Sequence, residues 1–357
     1  MRFIHIADMH FDIPFSSLNE KKDLAEKRRL EQRDTFSKII KFIQDEEIEY
    51  LFISGDLYEH EYVRESTVEF INNSFKQIPN TKVFISPGNH DPYMKDSYYY
   101  RFEFADNVYV FRNSRIEKYE DENVNIFGMA FNEFYLNNSP LENLSIPYSS
   151  KPNILVAHLD LNGVKDKNDL SYNPISESKL NNMGFDYCAI GHIHKNNLDN
   201  KNKIYYPGST ISLGFDELGE HGMIVGEITK DCFNMEFVKL DDRIFKEEKI
   251  DISEIYSKEE LVEYIKSFNY ENNNLYKIIL IGKRNFDINT RELLRLVDLE
   301  NVLKIKDTTK VNYDIEKIAN QNNLKGFFVK ELLEKYNSGL CSEEEFEKAL
   351  EIGLNAM

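Results

Sequence analysis

The chain has 357 residues, of which 41% are hydrophobic and 30% are charged, a composition typical of a folded protein. This length predicts one large domain with a buried core and a second, smaller domain. The formal net charge of -18 argues against a general attraction to nucleic acid, although bound cations or a basic partner could still bring DNA to the protein.

The cysteines and the apolar runs predict where in the cell the protein is found. Cys188, Cys232 and Cys341 are odd in number and far apart, which favours reduced thiols. Met1 leads directly into RFIHIA, which predicts that no signal peptide is present, and runs such as YLFIS are too short to cross a bilayer. We therefore expect a soluble cytoplasmic protein with no membrane contact.

The first third of the chain alternates apolar runs with helical patterns, the rhythm of an α/β unit. The runs RFIHIA, YLFIS and TKVFISP predict strands, and the apolar spacing predicts helices over 21–46 and 68–78. Each predicted strand leads directly into a polar segment: Asp8-Met9-His10, then Gly55-Asp56, then Gly88-Asn89-His90-Asp91.

The pattern loosens between residues 92 and 152 and then returns to buried strands. NILVAH ends at His158, and DYCAIG leads to His192 and His194. We expect the following runs, IYYPGS and GMIVGEI, to form antiparallel strands on the far side of the sheet. The sequence then becomes polar and charged, which places the end of the first domain, 1–243, at this point.

The remaining residues predict two further segments. Residues 244–315 alternate strand, helix, strand, helix and strand, with Ser257 and Glu260 at the spacing of a capping box. This pattern predicts a small βαβαβ domain. Residues 325–357 predict two amphipathic helices, the second opened by Ser342 and Glu345.

The five polar segments contain the ligand types of a two-metal site. Ligands gather beyond the carboxyl ends of strands in an open α/β sheet, where all five segments lie. Carboxylate, amide and imidazole groups without thiolate suit two divalent cations, which need a carboxylate between them. We expect Asp56 to bridge the two metals. One metal is then completed by Asp8, His10 and His194, and the other by Asn89, His158 and His192.

His90 is not needed as a ligand, and its place beside Asn89 would face it toward whatever the metals bind. We assign it to holding a scissile phosphate and protonating the leaving oxygen. We expect Asp91 to accept a hydrogen bond from its ring, and a metal-bound hydroxide to be the nucleophile. Of the other histidines, His5 is expected in the core, and His60 and His221 on the solvated surface.

In this order, DMH, GD, GNHD, H and GHIH resemble the motifs of the calcineurin-like metallophosphoesterase superfamily. Within it, IHIADMHFDIPF, GNHDPY, FDYCAIGHIH and YPGS look like the SbcD/YhaO group of bacterial DNA repair exonucleases. The resemblance implies a four-layer αββα catalytic domain that uses manganese, with the two ligand sets and His90 in the roles given above. This sequence departs from the pattern at one point. Many relatives carry a further histidine shortly after the GD motif, where this chain has LYEHE, and the equivalence of His60 to that histidine is open.

The resemblance also implies partners. The 244–315 segment would be a capping domain that contacts DNA, and the 325–357 helices would dock on the coiled-coil base of an SbcC-like ATPase. A homodimer is implied as well.

Three functions compete at this point. The first is a metal-dependent DNA phosphodiesterase, acting as an exonuclease and also as an endonuclease in DNA repair. The second is a phosphodiesterase or phosphatase on a small molecule or nucleotide, which the acidic charge favours. The third is a scaffold protein without activity, against which the complete ligand set speaks.

Overall fold

A computed structural model describes residues 1–15, 18, 22–163, 170–198, 203–230, 232–271 and 273–357. The chain divides into two compact units, Met1–Phe245 and Lys246–Met357. In the described residues, no helix combines the length and the apolar character needed to cross a membrane.

The helices and strands of the first unit follow one another along the chain in an α/β pattern. The described strands are β1 (Arg2–Ile6), β2 (Tyr50–Ile53), β3 (Lys82–Ile85), β4 (Val108–Val110), β5 (Glu117–Glu120), β6 (Asn125–Gly128), β7 (Asn153–His158), β8 (Tyr187–Gly191), β9 (Ile204–Tyr205), β10 (Gly222–Ile228) and β11 (Phe233–Lys239). The described helices are α1 (Lys22–Asp45), α2 (Glu65–Lys76), α3 (Tyr98–Arg101) and α4 (Glu177–Asn181), with a 3₁₀ helix at Pro140–Asn143.

These strands form two sheets. One has the order β11-β10-β1-β2-β3-β4, in which β1 to β4 are parallel and β10 pairs antiparallel with β1. The other has the order β5-β6-β7-β8-β9, in which β6 to β9 are parallel. Parallel neighbours present their carboxyl ends at the same edge of a sheet, which is the arrangement that the polar segments require.

The two sheets pack face to face. Side chains alternate between the two faces of a strand, so each sheet presents one apolar face to the other sheet and one to the helices. Phe3 and Phe52 of the first sheet share a buried cluster with Tyr187 of the second, and the Phe3 and Tyr187 ring centroids are 4.8 Å apart. On the opposite face of β1, Ile4 and Ile6 pack beneath α1 and α2.

A separate buried cluster covers the outer face of the second sheet. Leu155 of β7 and Ile190 of β8 pack there with Leu141 of the 3₁₀ helix and Leu180 of α4. The order of layers is therefore helix, sheet, sheet, helix, and the predicted αββα fold class is confirmed.

The prediction for IYYPGS is wrong. Its strand, β9, is parallel to β8 in the second sheet, whereas GMIVGEI forms β10 in the first sheet. The Tyr205 ring of β9 stacks on Tyr187 of β8 at 5.2 Å between centroids and also meets Phe233 of β11 at 6.0 Å, so it packs between the two sheets while its strand pairs in the second. Neighbouring runs in the sequence therefore belong to different sheets here.

The second unit contains a small mixed layer of strands and helices. Its elements are β12 (Phe245–Asp251), α5 (Lys258–Lys266), β13 (Leu275–Ile281), β14 (Lys283–Arg284), α6 (Thr290–Val297), β15 (Val302–Asp307), β16 (Lys310–Val311), α7 (Ile315–Ala319), α8 (Leu324–Asn337) and α9 (Glu343–Ala356). The main sheet has the order β12-β13-β15, and β14 pairs with β16.

Two predicted helix starts are confirmed in this unit. The Ser257 side chain accepts a hydrogen bond from the Glu260 backbone N–H at the start of α5. Ser342 and Glu345 form a complete capping box at the start of α9. Helices α8 and α9 pack through a cluster that contains Val329, Phe346, Leu350 and Leu354.

Candidate metal centre

The five polar segments converge at one edge of the two sheets. Asp8 and His10 follow β1, Asp56 follows β2, and Asn89 follows β3, all at carboxyl ends. His158 ends β7 of the facing sheet, and His192 and His194 follow its neighbour β8. The structure thus brings together every residue that the sequence analysis assigned to the two metal sets.

The first set is compact. His10 Nε2 lies 3.2 Å from His194 Nε2, and His194 Nε2 lies 3.8 Å from Asp8 Oδ1. Their ligand atoms all lie within 4.8 Å of one another, close enough for one cation to contact all three. Asp56 Oδ2 lies 3.7 Å from His10 Nε2, which joins Asp56 to this set.

Asp56 also joins the second set. Its Oδ2 lies 3.3 Å from His158 Nε2, and His158 Nε2 lies 3.0 Å from Asn89 Oδ1. The His192 ring lies beside His158, with centroids 5.2 Å apart. The His192 backbone N–H donates to both carboxylate oxygens of Asp8 at 3.2 Å.

Acceptors behind three imidazoles determine which ring nitrogen faces the site. His10 Nδ1 lies 2.7 Å from Glu59 Oε1, His194 Nδ1 lies 2.5 Å from Glu217 Oε1, and His158 Nδ1 lies 2.9 Å from the Ser54 carbonyl oxygen. Since each Nδ1–H donates to its acceptor, it is the Nε2 atom of each ring that faces the site and can offer a lone pair to a cation once its proton is lost.

The Nε2 atoms are the reason that the residues fit a cation. The Nε2 atoms of His10 and His194 face each other at 3.2 Å, a spacing that a shared proton or a cation can satisfy. His158 Nε2 likewise faces acceptor oxygens of Asp56 and Asn89. When the ring protons are lost, these nitrogen lone pairs and oxygens are acceptors that a positive charge must hold together, so the donor set fits divalent cations.

The backbone is strained at the same residues. Asp8, His10 and Asp56 have φ values of 52°, 48° and 51°, and His192 has a φ of 109°. Non-glycine residues rarely adopt such angles, which cost on the order of 1–3 kcal/mol each and concentrate at functional sites. The fold therefore holds these four side chains in place at an energetic cost.

Two glycines allow the loops to approach each other. Gly55 has a φ of 89°, and a Cβ there would lie 2.4 Å from His158 Nδ1. A Cβ on Gly88 would lie 2.3 Å from Asp56 Oδ1. Both positions require glycine because the neighbouring ligand side chain already occupies the space.

Comparison with known proteins identifies the family. Residues 1–196 match the family described as calcineurin-like phosphoesterase, which covers more than half of the chain. The chain belongs to this family. It is 24% identical to the uncharacterized metallophosphoesterase YhaO of Bacillus subtilis (strain 168) over 270 residues, 71% of this chain and 64% of YhaO.

A second relative carries a more specific name. The chain is 25% identical to SbcD, a component of the nuclease SbcCD of Staphylococcus epidermidis (strain ATCC 12228 / FDA PCI 1200), over 254 residues, 62% of this chain. The chain spans 64% of the length of each of these relatives.

Electrostatics in the phosphoesterase centre follow from burial beside paired charges. Burial opposes ionisation of Asp56, but His158 holds its pKa well below the ordinary value. Burial also opposes protonation of His158 and His194, yet the charge of Asp56 and the hydrogen bond to Glu217, respectively, raise the pKa of each to about 9. Burial and the neighbouring His158 lower the pKa of His192 to about 3.

The predicted pairing of Asp91 with His90 is wrong. Glu59 Oε2 lies 2.9 Å from His90 Nδ1, so Glu59 holds this ring as well as that of His10. Asp91 instead accepts hydrogen bonds from the backbone N–H groups of Gly88, Asp56 and Leu57 and from the Tyr99 hydroxyl. Its carboxylate therefore links the backbone of the loop after β2 to that of the loop after β3.

His90 differs from the other imidazoles in the phosphoesterase centre because its side chain is 46% exposed. Burial opposes its protonation, but the hydrogen bond from its ring to Glu59 and the charge of Asp56 raise its pKa to about 9. Burial opposes ionisation of Glu59, but its hydrogen bonds to the imidazoles of His10 and His90 outweigh this effect and lower its pKa to about 2.

The other histidines give a mixed result. His5 is buried, as predicted, and its ring contacts the Tyr187 and Ser54 hydroxyls. The surface prediction is wrong for His221, which is buried with its ring between Ser209 and the Glu217 carbonyl oxygen.

His60 is also not a solvated surface residue, since its side chain is only 15% exposed. Its backbone N–H donates to the His90 carbonyl oxygen at 2.9 Å, and its ring meets Phe134 edge-on. His60 therefore lies beside the site. Its neighbour Glu59 holds His10 and His90, a role that no motif in LYEHE indicates.

Proposed function

We propose that this protein is a two-metal-dependent DNA phosphodiesterase that acts as an exonuclease, and also as an endonuclease, in DNA repair. One observation carries the proposal: two sets of inward-facing ligands share Asp56, and His90 stands exposed beside them. The similarity to a component of a nuclease supports DNA as the substrate.

In this proposal Asp8, His10 and His194 hold one cation, Asn89, His158 and His192 hold the other, and Asp56 contacts both. The cation is Mn²⁺. Bound divalent cations supply Lewis acidity toward phosphate oxygens and lower the pKa of water.

The side chains around the cations then position the phosphate. In the metal-free protein Glu59 and the charge of Asp56 outweigh burial and raise the pKa of His90 to about 9. A proton kept on its Nε2 by Glu59 would be donated to the phosphate and delivered to the leaving oxygen. Glu59 fixes the ring that does this and at the same time fixes His10, which couples phosphate contact to metal geometry. Asp91 acts as a positioning residue through the loop backbone.

The proposed partner is a coiled-coil ATPase of the SbcC type, docked on the helices of 325–357. Exposed apolar side chains support a docking role for this region, since helices α8 and α9 and their connection expose Phe327, Leu340 and Ile352. The Staphylococcus epidermidis relative is named as one component of SbcCD, which supports the same assignment.

The decisive experiment offers the Mn²⁺-loaded protein linear DNA, circular DNA and methyl p-nitrophenyl phosphate. Cleavage of both DNA forms is expected. Hydrolysis of the diester without cleavage of any DNA, even with the ATPase present, would overturn DNA as the substrate and favour the small-molecule phosphodiesterase that the net charge of -18 suggests.

His90→Ala tests the assignment of roles. It should abolish cleavage and leave two metals per chain by elemental analysis, because the two proposed ligand sets are complete without His90, whose ring lies near His10 and Asp56. Loss of metal from this variant would show that His90 is a ligand.

Two variants test the docking surface: the substitution Phe327→Asp and the deletion of residues 325–357. The aspartate replaces an exposed side chain and leaves the helix core intact, so folding is preserved while co-purification with the ATPase is lost. Unchanged co-purification of both variants rejects the partner assignment.

A further inference from the structure

A cleft opens beside His90 and leads away from the metal centre. It has a volume of about 400 Å³, and its lining includes His90, Asn89 and three aromatic residues, Tyr62, Phe134 and Tyr172, which we call the aromatic wall. Pockets of this size hold small ligands. A ligand in this cleft would therefore contact His90 and an aromatic wall together.

The aromatic wall is open to solvent. Tyr62 is 51% exposed and Phe134 is 45% exposed. The Tyr172 ring lies against His192 at 5.2 Å between centroids, and the Phe134 ring is supported by the edge of His60 at 5.7 Å. Single exposed aromatic side chains need no explanation, but two exposed rings and the half-buried Tyr172 that line one cleft beside His90 indicate a binding surface.

The charge of the cleft limits what can bind there. Glu59 and Glu61 lie in its lining, and no lysine or arginine is among the described residues that line it. A duplex held by its backbone needs basic side chains along the phosphates. An uncharged aromatic ring needs only a π face on which to stack, and stacking accepts every base.

We propose that this cleft stacks the unpaired nucleobase of the nucleotide whose phosphate His90 contacts. The inference rests on the proposed function and deepens it: the strand reaches the centre unpaired, at a frayed end or within a melted stretch, and not as an intact duplex. The rings of Phe134 and Tyr172 provide the stacking surfaces, and the ester lies at the end of the cleft that His90 and Asn89 form.

The first test compares two diesters that differ by a nucleoside. Thymidine 5′-(p-nitrophenyl phosphate) carries a base, and methyl p-nitrophenyl phosphate carries none. The ratio of their kcat/KM values measures the contribution of the base. Phe134→Leu keeps an apolar side chain and removes the π face, so this ratio should fall by about 5- to 150-fold, the usual effect of losing one stacking ring.

Tyr148→Leu is the matched control, because Tyr148 is 92% exposed and its ring contacts Lys230 instead of the cleft. It should preserve the ratio. A ratio that is unchanged in Phe134→Leu, or that falls equally in both variants, overturns the inference.

A second test reads binding without turnover. The chain contains no tryptophan, so Phe134→Trp introduces the sole indole of the protein. With Mg²⁺ present, thymidine 5′-monophosphate should quench its fluorescence saturably, whereas 2-deoxyribose 5-phosphate should not. Equal responses to both ligands, or no response to either, contradict base stacking.

The outcomes separate this inference from the proposed function. Cleavage of DNA together with an unchanged diester ratio in Phe134→Leu rejects the stacking cleft and leaves the nuclease in place. Base-dependent quenching without cleavage of any DNA retains the cleft and points to a small nucleotide diester as the substrate. Faster cleavage of single-stranded than of blunt duplex oligonucleotides satisfies both.

Discussion

Glu59 holds two imidazoles at once, one proposed to bind a metal and the other proposed to contact the phosphate. Its Oε1 lies 2.7 Å from His10 Nδ1 and its Oε2 lies 2.9 Å from His90 Nδ1. The carboxylate is 12% exposed and thus accepts two charge-assisted hydrogen bonds largely away from water.

Glu59→Gln changes the number of acceptors without changing the shape of the side chain. The amide oxygen can accept from one imidazole, but the amide nitrogen then turns N–H groups toward the other. The lost bond to a charged group is worth about 1.5–3 kcal/mol. We expect the pKa of His90, which is raised to about 9 in the wild type, to fall toward the ordinary value of 6.5 but not to reach it, because the charge of Asp56 remains.

The assay is an NMR titration of the imidazole resonances in the metal-free protein, with His90 assigned from the spectrum of His90→Gln. At pH 8 the wild-type ring should be mostly protonated, and the ring in Glu59→Gln should be mostly neutral. Glu61→Gln removes an exposed carboxylate from the same cleft and is the control. A His90 titration midpoint that is the same in wild type and Glu59→Gln would refute Glu59 as the cause of the raised pKa.

Three further predictions follow from the described contacts. Gly88→Ala should abolish tight metal binding, measured by calorimetry, because its Cβ meets a ligand carboxylate at 2.3 Å, whereas Gly214→Ala has nothing within 4 Å and should bind normally. Metal affinity should rise as the pH increases from 6.5 to 9, because the pKa values of His158 and His194 are raised to about 9 and both rings must lose a proton to bind. Binding within this pH range should therefore release protons, and a pH-independent affinity contradicts this. Ser342→Ala should destabilise α9 by about 1 kcal/mol in native-state hydrogen exchange, and unchanged protection argues against the cap.

The sequence was sufficient to predict that the side chains assigned as ligands lie together, because the information lies at the ends of strands. A strand that is apolar throughout, such as YLFIS, is readable without a structure, and parallel packing brings the residues that follow such strands to one edge. Asp56 and His158 could therefore be placed together although they are far apart in the chain.

The residues behind the ligands could not be predicted in this way. Asp91 and Glu59 are both acidic and both close to His90 in the fold, and adjacency in the sequence favoured Asp91. Three backbone N–H donors and the Tyr99 hydroxyl surround the Asp91 carboxylate instead, which a pattern of side chains does not reveal. Glu217 lies in a loop without a motif, and only the loop geometry brings it to His194.

Sheet membership was unpredictable for a similar reason. β9 has only two residues, so its hydrophobic pattern is too short to indicate a partner. β9 pairs with β8 in the structure, and Tyr205 stacks on Tyr187, a contact between residues that are distant in the pattern.

The net charge of -18 is compatible with a phosphate ester substrate once the charges are considered locally. Under the proposed ligand assignment, two divalent cations contribute four positive charges, Asp8 and Asp56 contribute two negative ones, and Glu59 and Glu217 behind the imidazoles contribute two more. The cations are therefore balanced by the carboxylates around them and would face a phosphate directly. Acidic surface groups farther away than the Debye length, about 8 Å at physiological ionic strength, are largely screened. Such a centre can attract one phosphate but offers no basic track for a long backbone. Recognition beyond that phosphate must then come from an uncharged group, and the ring wall beside His90 is suited to a base.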